Sequence, residues 1–448
     1  MNLEQSVKKS LYSLLLAAAL MLAACQPQNT VTNSNKLPES DATPDLVQVA
    51  PETVGMDRSR LDRVTAAMQN LVDDGLLAGA VTMAARDGKM VHYESVGYRD
   101  MEAGDAMTND SIFRIYSMTK PITGVALMIL YEEGKFRLRD PVEKYIPELK
   151  DLQVAAGEGP NGELLTEPAD HPMTIRELMS HTGGLSYGIF SQSAVDTLYT
   201  ESNMLDNNST LKDMIDKLSG IPLRQQPGSQ WHYSVSVDVQ GYLVEVLSGQ
   251  PFDEFLEERL FEPLGMTDTG FYVPPEKAPR FAQIYGYNDA GELYPSEMFA
   301  GGSNAVWLSD PAFKSGGGGL VSTAMDYMRF SQMLLNGGEL NGARILSPLT
   351  VDLMHRNQLP RGLPDSVLGA PGTVFGLDFA VITDPVEAES YSAGEFYWGG
   401  AAGTWFWIDP VEEVVFVGMI QQWGQLTPDV RSLTRRLVYQ SIMEPNDA

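Results

Sequence analysis

Strand-forming segments sit near the two ends of this chain, with a long helical and loop-rich middle between them, so its main sheet must join segments far apart in sequence. Gly79 to Arg86 and Lys89 to Gly97 are two apolar-rich runs around Asp87-Gly88. An Asp-Gly pair tolerates the positive φ angles of a tight hairpin turn. Glu395 to Ala401, Thr404 to Asp409 and Val414 to Ile420 read as three more strands, with Asp409-Pro410 in a turn between the last two. Two strands from one end and three from the other predict an antiparallel sheet of five strands or more, in an α+β fold. Asp57 can cap a helix running to about Asp74, with Leu61, Val64, Met68 and Leu71 on one face and Gly75 as its stop. A second helix is expected from about Pro428 to Met443. These terminal helices should cover one face of the sheet. Residues 120–390 read as helical patches and loops, without an internal repeat.

The charge balance removes some functions. The 448-residue chain carries 31 Lys and Arg against 59 Asp and Glu, a formal net charge of -28. Such a surface repels phosphate backbones, so no nucleic-acid partner is expected. The N-terminus reads as a targeting segment. Lys8 and Lys9 precede an apolar run, Leu11 to Ala24, that is short for a spanning helix. It ends Leu22-Ala23-Ala24-Cys25, and Cys25 is the only cysteine in the chain. This resembles a bacterial lipoprotein signal: residues 1–24 removed and Cys25 lipidated, which leaves no cysteine for an internal disulfide. The polar stretch 25–52 reads as a flexible tether, and 53–443 as the folded domain. The expected location is the bacterial cell envelope, on the outer membrane through the lipid or in the periplasm.

Chemistry is suggested first by Ser117-Met118-Thr119-Lys120. Pro121 follows, a residue tolerated in the first turn of a helix, and then the apolar stretch Ile122 to Tyr131. Ser and Lys three apart share one helix face. A serine hydroxyl is a weak nucleophile until a base takes its proton, and a lysine held nearby in a buried setting can do so. Two other Ser-x-x-Lys runs exist, at Ser6 and Ser209, but only Ser117 follows a strand-like run, Ile112 to Tyr116, and opens an apolar helix. A competing nucleophile motif is Gly184-Leu185-Ser186-Tyr187-Gly188. A nucleophile elbow must join a strand to a helix, whereas this run follows the helical Met173 to Ser180. It reads as a glycine-rich turn.

Several segments, in order, resemble the class C beta-lactamase superfamily of serine hydrolases. Phe113 to Lys120 resembles its nucleophile motif, and Leu178 to Leu185 its following loop. Trp231 to Asp238 resembles its tyrosine motif, Ser315 to Ser322 its glycine-rich segment, and Trp398-Gly399-Gly400 its third motif. The resemblance implies a beta-lactamase/transpeptidase-like fold, the sheet flanked by helices with a helical lobe added. It implies acylation at Ser117, general-base work shared by Lys120 and Tyr233, and an oxyanion hole from the N–H groups of Ser117 and Ala401. Tyr116, Val235, Trp398, Gly399 and Gly400 would contact substrate, and no cofactor is expected. Two positions depart from the beta-lactamase pattern. Trp398 stands where a lysine usually holds the lactam carboxylate, and Val235 where an asparagine usually contacts the substrate amide. Both changes remove polar recognition, and Trp398 with its two glycines resembles the beta-lactamase-like esterases, lipolytic family VIII. The expected activity is cleavage of small carboxylic esters. The alternatives are a beta-lactamase, D,D-peptidase or D-aminopeptidase, and a non-catalytic penicillin-binding-like protein.

The N-terminal reading generates its own test. Cys25→Ser should yield unlipidated protein released from membranes on fractionation, since attachment by lipid requires the acylated thiol. A variant still wholly membrane-bound would contradict the anchor.

Overall fold

The computed structural model describes residues 45–190, 192–296, 304–424 and 429–446. The signal segment, Cys25 and most of the expected tether lie outside the described residues. Within them, helix α1 (Arg63–Asp73) leads to strands β1 (Gly79–Arg86), β2 (Lys89–Asp100) and β3 (Asp105–Ala106). Strand β4 (Phe113–Arg114) precedes helices α2 (Thr119–Glu132), α3 (Ile175–Met179) and α4 (Ser236–Ser248). Short strands follow: β5 (Val321–Ser322), β6 (Ser366–Val367), β7 (Ala370–Pro371), β8 (Thr373–Phe375) and β9 (Ala380–Ile382). Strands β10 (Phe396–Gly399), β11 (Trp405–Asp409) and β12 (Val414–Met419) and helix α5 (Val430–Tyr439) complete the set.

Ten strands form one sheet in the order β7-β6-β8-β9-β10-β11-β12-β1-β2-β3. Every pairing is antiparallel except Ser366 with Thr373. The N-terminal and C-terminal strands meet inside the sheet, where Val81 pairs with Met419 and Arg86 with Val414. The Asp87-Gly88 turn has both residues at positive φ, 52° and 70°, as a two-residue hairpin demands. The expected five strands are present, but the sheet is larger. The stretch 366–382, read as helix or loop, adds four short strands to its edge. A second correction concerns the tether. Residues 45–52 are tied to the body: Leu46 N–H donates to Gly88 O at 2.7 Å and Val49 N–H to Met90 O at 2.9 Å.

Side-chain alternation sorts the central strands into two cores. Ala80, Ala84, Trp405, Trp407 and Phe416 face the terminal helices, where Leu61, Val64, Met68 and Val438 meet them. The Asp57 carboxylate caps that helical region by accepting from Arg60 N–H. Val81, Met83, Phe406, Val415 and Val417 face the opposite core with Ile122, Val125 and Leu127 of α2. Both sides being covered explains why β1 is buried along its whole length and largely apolar. Helix α2 is buried from Thr119 to Leu130 and packs along α4, so the segment carrying Lys120 is fixed on every side. Among the described residues, no helix is long and apolar enough to cross a membrane.

His92 sits inside this frame, its Nε2 2.8 Å from the Thr82 hydroxyl, and burial pushes its pKa down to about 4. The unfolded chain then takes up a proton between about pH 6.5 and 4 that the folded chain refuses. This group's contribution is therefore full above pH 6.5 and falls by about 1.4 kcal/mol per pH unit as the solution is acidified through that window. His92→Gln should flatten the dependence of the urea midpoint on pH over that range. An unchanged acid slope would show that His92 titrates alike in both states.

Candidate active site

Strand β4 pairs with β5, Phe113 opposite Ser322 and Arg114 opposite Val321. The chain then turns sharply. Tyr116 has φ of 42°, a region that costs a bulky residue of order 1–3 kcal/mol. Its ring is held edge-on against Trp307, centroids 5.6 Å apart. A single 3₁₀ turn over Tyr116–Met118 feeds directly into α2. Ser117 thus sits half-buried on a tight strand-to-helix corner, one helical turn before Lys120.

Lys120 is fully buried. Its Nζ donates to Gly317 O at 2.6 Å and lies 2.9 Å from Tyr187 OH and 3.3 Å from Ser117 Oγ. Gly317 O can only accept, so one N–H is committed there in either charge state. The other two contacts are to hydroxyls, which can give or take a proton. Lys120 Nζ also lies over the Tyr233 ring, 4.5 Å from its centroid, a cation–π contact for the ammonium form. Behind Gly317 lies Asp238. Its Oδ1 accepts from Gly317 N–H at 3.0 Å and Ser315 OH at 2.5 Å, and burial raises its pKa. A Cβ on Gly317 would stand 2.5 Å from Asp238 Oδ2 and 2.9 Å from Tyr187 OH, so only glycine fits. Burial, together with neighbouring Tyr233 and Asp238, holds the Tyr187 phenol well above its ordinary pKa. It therefore stays protonated at neutral pH.

Sequence reasoning missed Tyr187 as a partner of Lys120. Tyr233 stands close by in an aromatic cluster. Its ring lies 5.3 Å from Tyr187, 5.6 Å from Phe190 and 5.5 Å from Trp398, and its hydroxyl accepts from Trp398 Nε1 at 3.4 Å. Trp398 is itself buried against Phe375 and Tyr233. Val235, expected at the substrate, is fully buried in the main core at the start of α4. It lies outside the cavity wall because the chain there has already turned inward to begin the helix. His181 is buried behind Tyr233, ring centroids 4.9 Å apart; desolvation and the Lys120 charge hold it neutral.

Ser186 lies in a loop, and its hydroxyl is buried. Its Oγ donates to Asp196 Oδ1 and lies 3.2 Å from His232 Nε2. The carboxylate here bonds the serine rather than orienting the histidine, unlike a catalytic triad.

A cavity of about 200 Å³ opens over Ser117. Its wall includes Tyr116, Phe190, Tyr233, Trp307 and Ala401, and is predominantly apolar. Ala401 follows strand β10 in a turn beside Ser117. Among the described residues, its N–H has no protein acceptor. Trp398 and Gly399 end strand β10 and Gly400 leads into the turn; none of the three, expected to contact substrate, lines this cavity. No group of three or more His, Cys, Asp or Glu among the described residues is arranged to hold a metal ion.

Comparison with known proteins finds relatives over most of the chain. A family model described as "Beta-lactamase" matches residues 64–440. An uncharacterized protein of Mycobacterium tuberculosis is 38% identical over 378 residues, covering 82% of this chain and 92% of the relative. Esterase EstB of Burkholderia gladioli is 30% identical over 383 residues, covering 80% of this chain and 89% of the relative. The solved structure of EstCE1, a hydrolase with promiscuous acyltransferase activity, superposes with a TM-score of 0.73 at 28% identity, covering 85% of this chain and 99% of that one.

Proposed function

We infer that this chain, which belongs to the beta-lactamase family of serine hydrolases, cleaves carboxylic esters through an acyl-enzyme on Ser117. The observation that carries the reading is Lys120 Nζ 3.3 Å from Ser117 Oγ, beneath an apolar cavity. Lys120 takes the Ser117 proton as Oγ attacks the ester carbonyl. The developing oxyanion is received by the N–H groups of Ser117 and Ala401. Tyr233, on the cavity wall, passes a proton to the leaving alcohol, and Tyr187 holds the Lys120 amine toward Ser117. Water then releases the acid by the reverse proton path. The N-terminal segment supports an enzyme carried at the cell envelope through Cys25.

Recognition separates an ester from a beta-lactam. A lactam carboxylate must be desolvated, at several kcal/mol unless a cation replaces the water. The usual lysine position holds Trp398, whose neutral indole brings no positive charge to a carboxylate. An ester with an apolar acyl group makes no such demand, and burial favours it by about 25 cal/mol per Å². Retention of Ser117, Lys120 and Tyr233 in one constellation argues against a purely binding protein.

Ser117→Ala should abolish hydrolysis of p-nitrophenyl butyrate, while Ser186→Ala, once shown to fold, should keep most of it. Wild-type kcat/KM should be higher for that ester than for nitrocefin. Activity surviving in Ser117→Ala would refute the nucleophile, and a preference for nitrocefin would refute the ester reading.

A further inference from the structure

The turn that carries Ala401 is clamped from two sides. On one side it meets the chain just before Ser117: Thr404 Oγ1 donates to Ile115 O at 3.3 Å. A Cβ on Gly400 would stand 2.4 Å from that same oxygen and 2.2 Å from Thr404 Oγ1. On the other side lies Arg431, in the first turn of α5. Its Nη2 donates to Gly400 O at 3.1 Å and Thr404 O at 3.3 Å. The guanidinium lies flat enough on the strand that a Cβ on Gly399 would come within 2.6 Å of it. Gly400 O also accepts from Gly403 N–H at 3.1 Å.

The Gly400 carbonyl and the Ala401 N–H belong to one peptide unit. In a trans peptide the two point in opposite directions. Whatever holds the carbonyl outward therefore aims the N–H inward, toward the cavity that Ala401 shares with Ser117. Glycine places little restraint on rotation of this unit. Turned over, it would present a carbonyl oxygen to the developing oxyanion, an acceptor where a donor is needed.

We propose that Arg431 is a positioning residue for the oxyanion hole, holding the Gly400–Ala401 peptide in its donor orientation through the Gly400 carbonyl. The proposal rests on the reading that Ser117 is acylated and that Ala401 N–H meets the oxyanion. Arg431 as a residue is exposed, while its guanidinium is desolvated where it meets the strand, so the head group is placed to orient that peptide. A charged donor on the carbonyl also polarises the peptide, strengthening the N–H as a donor. The effect belongs to the transition state, so it should appear in kcat rather than KM.

The test uses the full chain. Arg431→Gln and Arg431→Lys are compared with wild type for p-nitrophenyl butyrate hydrolysis, for thermal transition, and for affinity toward a trifluoromethyl ketone that forms a tetrahedral adduct. Arg431→Gln should lose on the order of tenfold in kcat with KM within twofold. Its affinity for the ketone should fall in parallel, and its thermal transition should stay near wild type. Arg431→Lys, which keeps the charge but not the fork, should lose about threefold. A wild-type kcat in Arg431→Gln overturns the proposal, as does a loss of kcat with ketone affinity intact. A change confined to KM also overturns it, since the guanidinium would then be a substrate contact. Should Arg431→Gln lack a thermal transition, Arg431→Lys decides, and a wild-type kcat and ketone affinity there overturn the proposal. Hydrolysis persisting in Ser117→Ala would instead remove the reading beneath it, and is scored separately.

Discussion

The site depends on the burial of one amine, Lys120. Removing an ammonium from water costs several kcal/mol unless other groups replace the lost contacts. Among the described residues no carboxylate touches it. Gly317 O, Tyr187 OH, Ser117 Oγ and the faces of two tyrosine rings surround it instead. Asp238 and Asp378, both buried, answer its charge from farther away. An amine placed in this way is not tied up in a salt bridge and stays within reach of Ser117 Oγ. The fold is arranged to keep it there. Helix α2 is enclosed on all sides, the glycine-rich segment is held to α4 by Asp238, and the aromatic cluster closes the remaining face.

The same architecture makes the corner at Ser117 rigid. Strand β4, the strained Tyr116 and the buried helix leave its backbone little freedom. The Ala401 turn is bound to that corner through Ile115. Ser117 and Ala401, proposed here as nucleophile and second oxyanion donor, therefore share a backbone scaffold, although they are widely separated in sequence. The cavity above them is predominantly apolar, which on the proposed reading leaves substrate selection to shape and burial rather than to an ion pair.

Much of this was legible in the sequence, and the rest was hidden for identifiable reasons. The Asp87-Gly88 hairpin, the three C-terminal strands and both terminal helices each extend far enough to display a period, and all appear close to their expected bounds. The strands Thr373–Phe375 and Ala380–Ile382 have three residues each, too few for alternation to register. Ser117 and Lys120 share a helix, so their meeting follows from local geometry. Tyr187 lies 67 residues from Lys120 in an irregular loop, and no period announces it. Val235 lies in a recognisable motif, yet motif position alone could not show that the chain turns into the core there. The positive φ of Tyr116 and the grip of Arg431 on Gly400 are properties of tertiary packing, invisible in composition or spacing.

The central claim is that Ser117 carries the acyl group. The most direct measurement is acid quench of the enzyme during turnover of a p-nitrophenyl ester, followed by intact-mass determination and peptide mapping. The account predicts one added acyl mass, on the peptide containing Ser117, absent from Ser117→Ala. An acyl group mapped to Ser186, or turnover with no covalent adduct even under single-turnover quench, would contradict it.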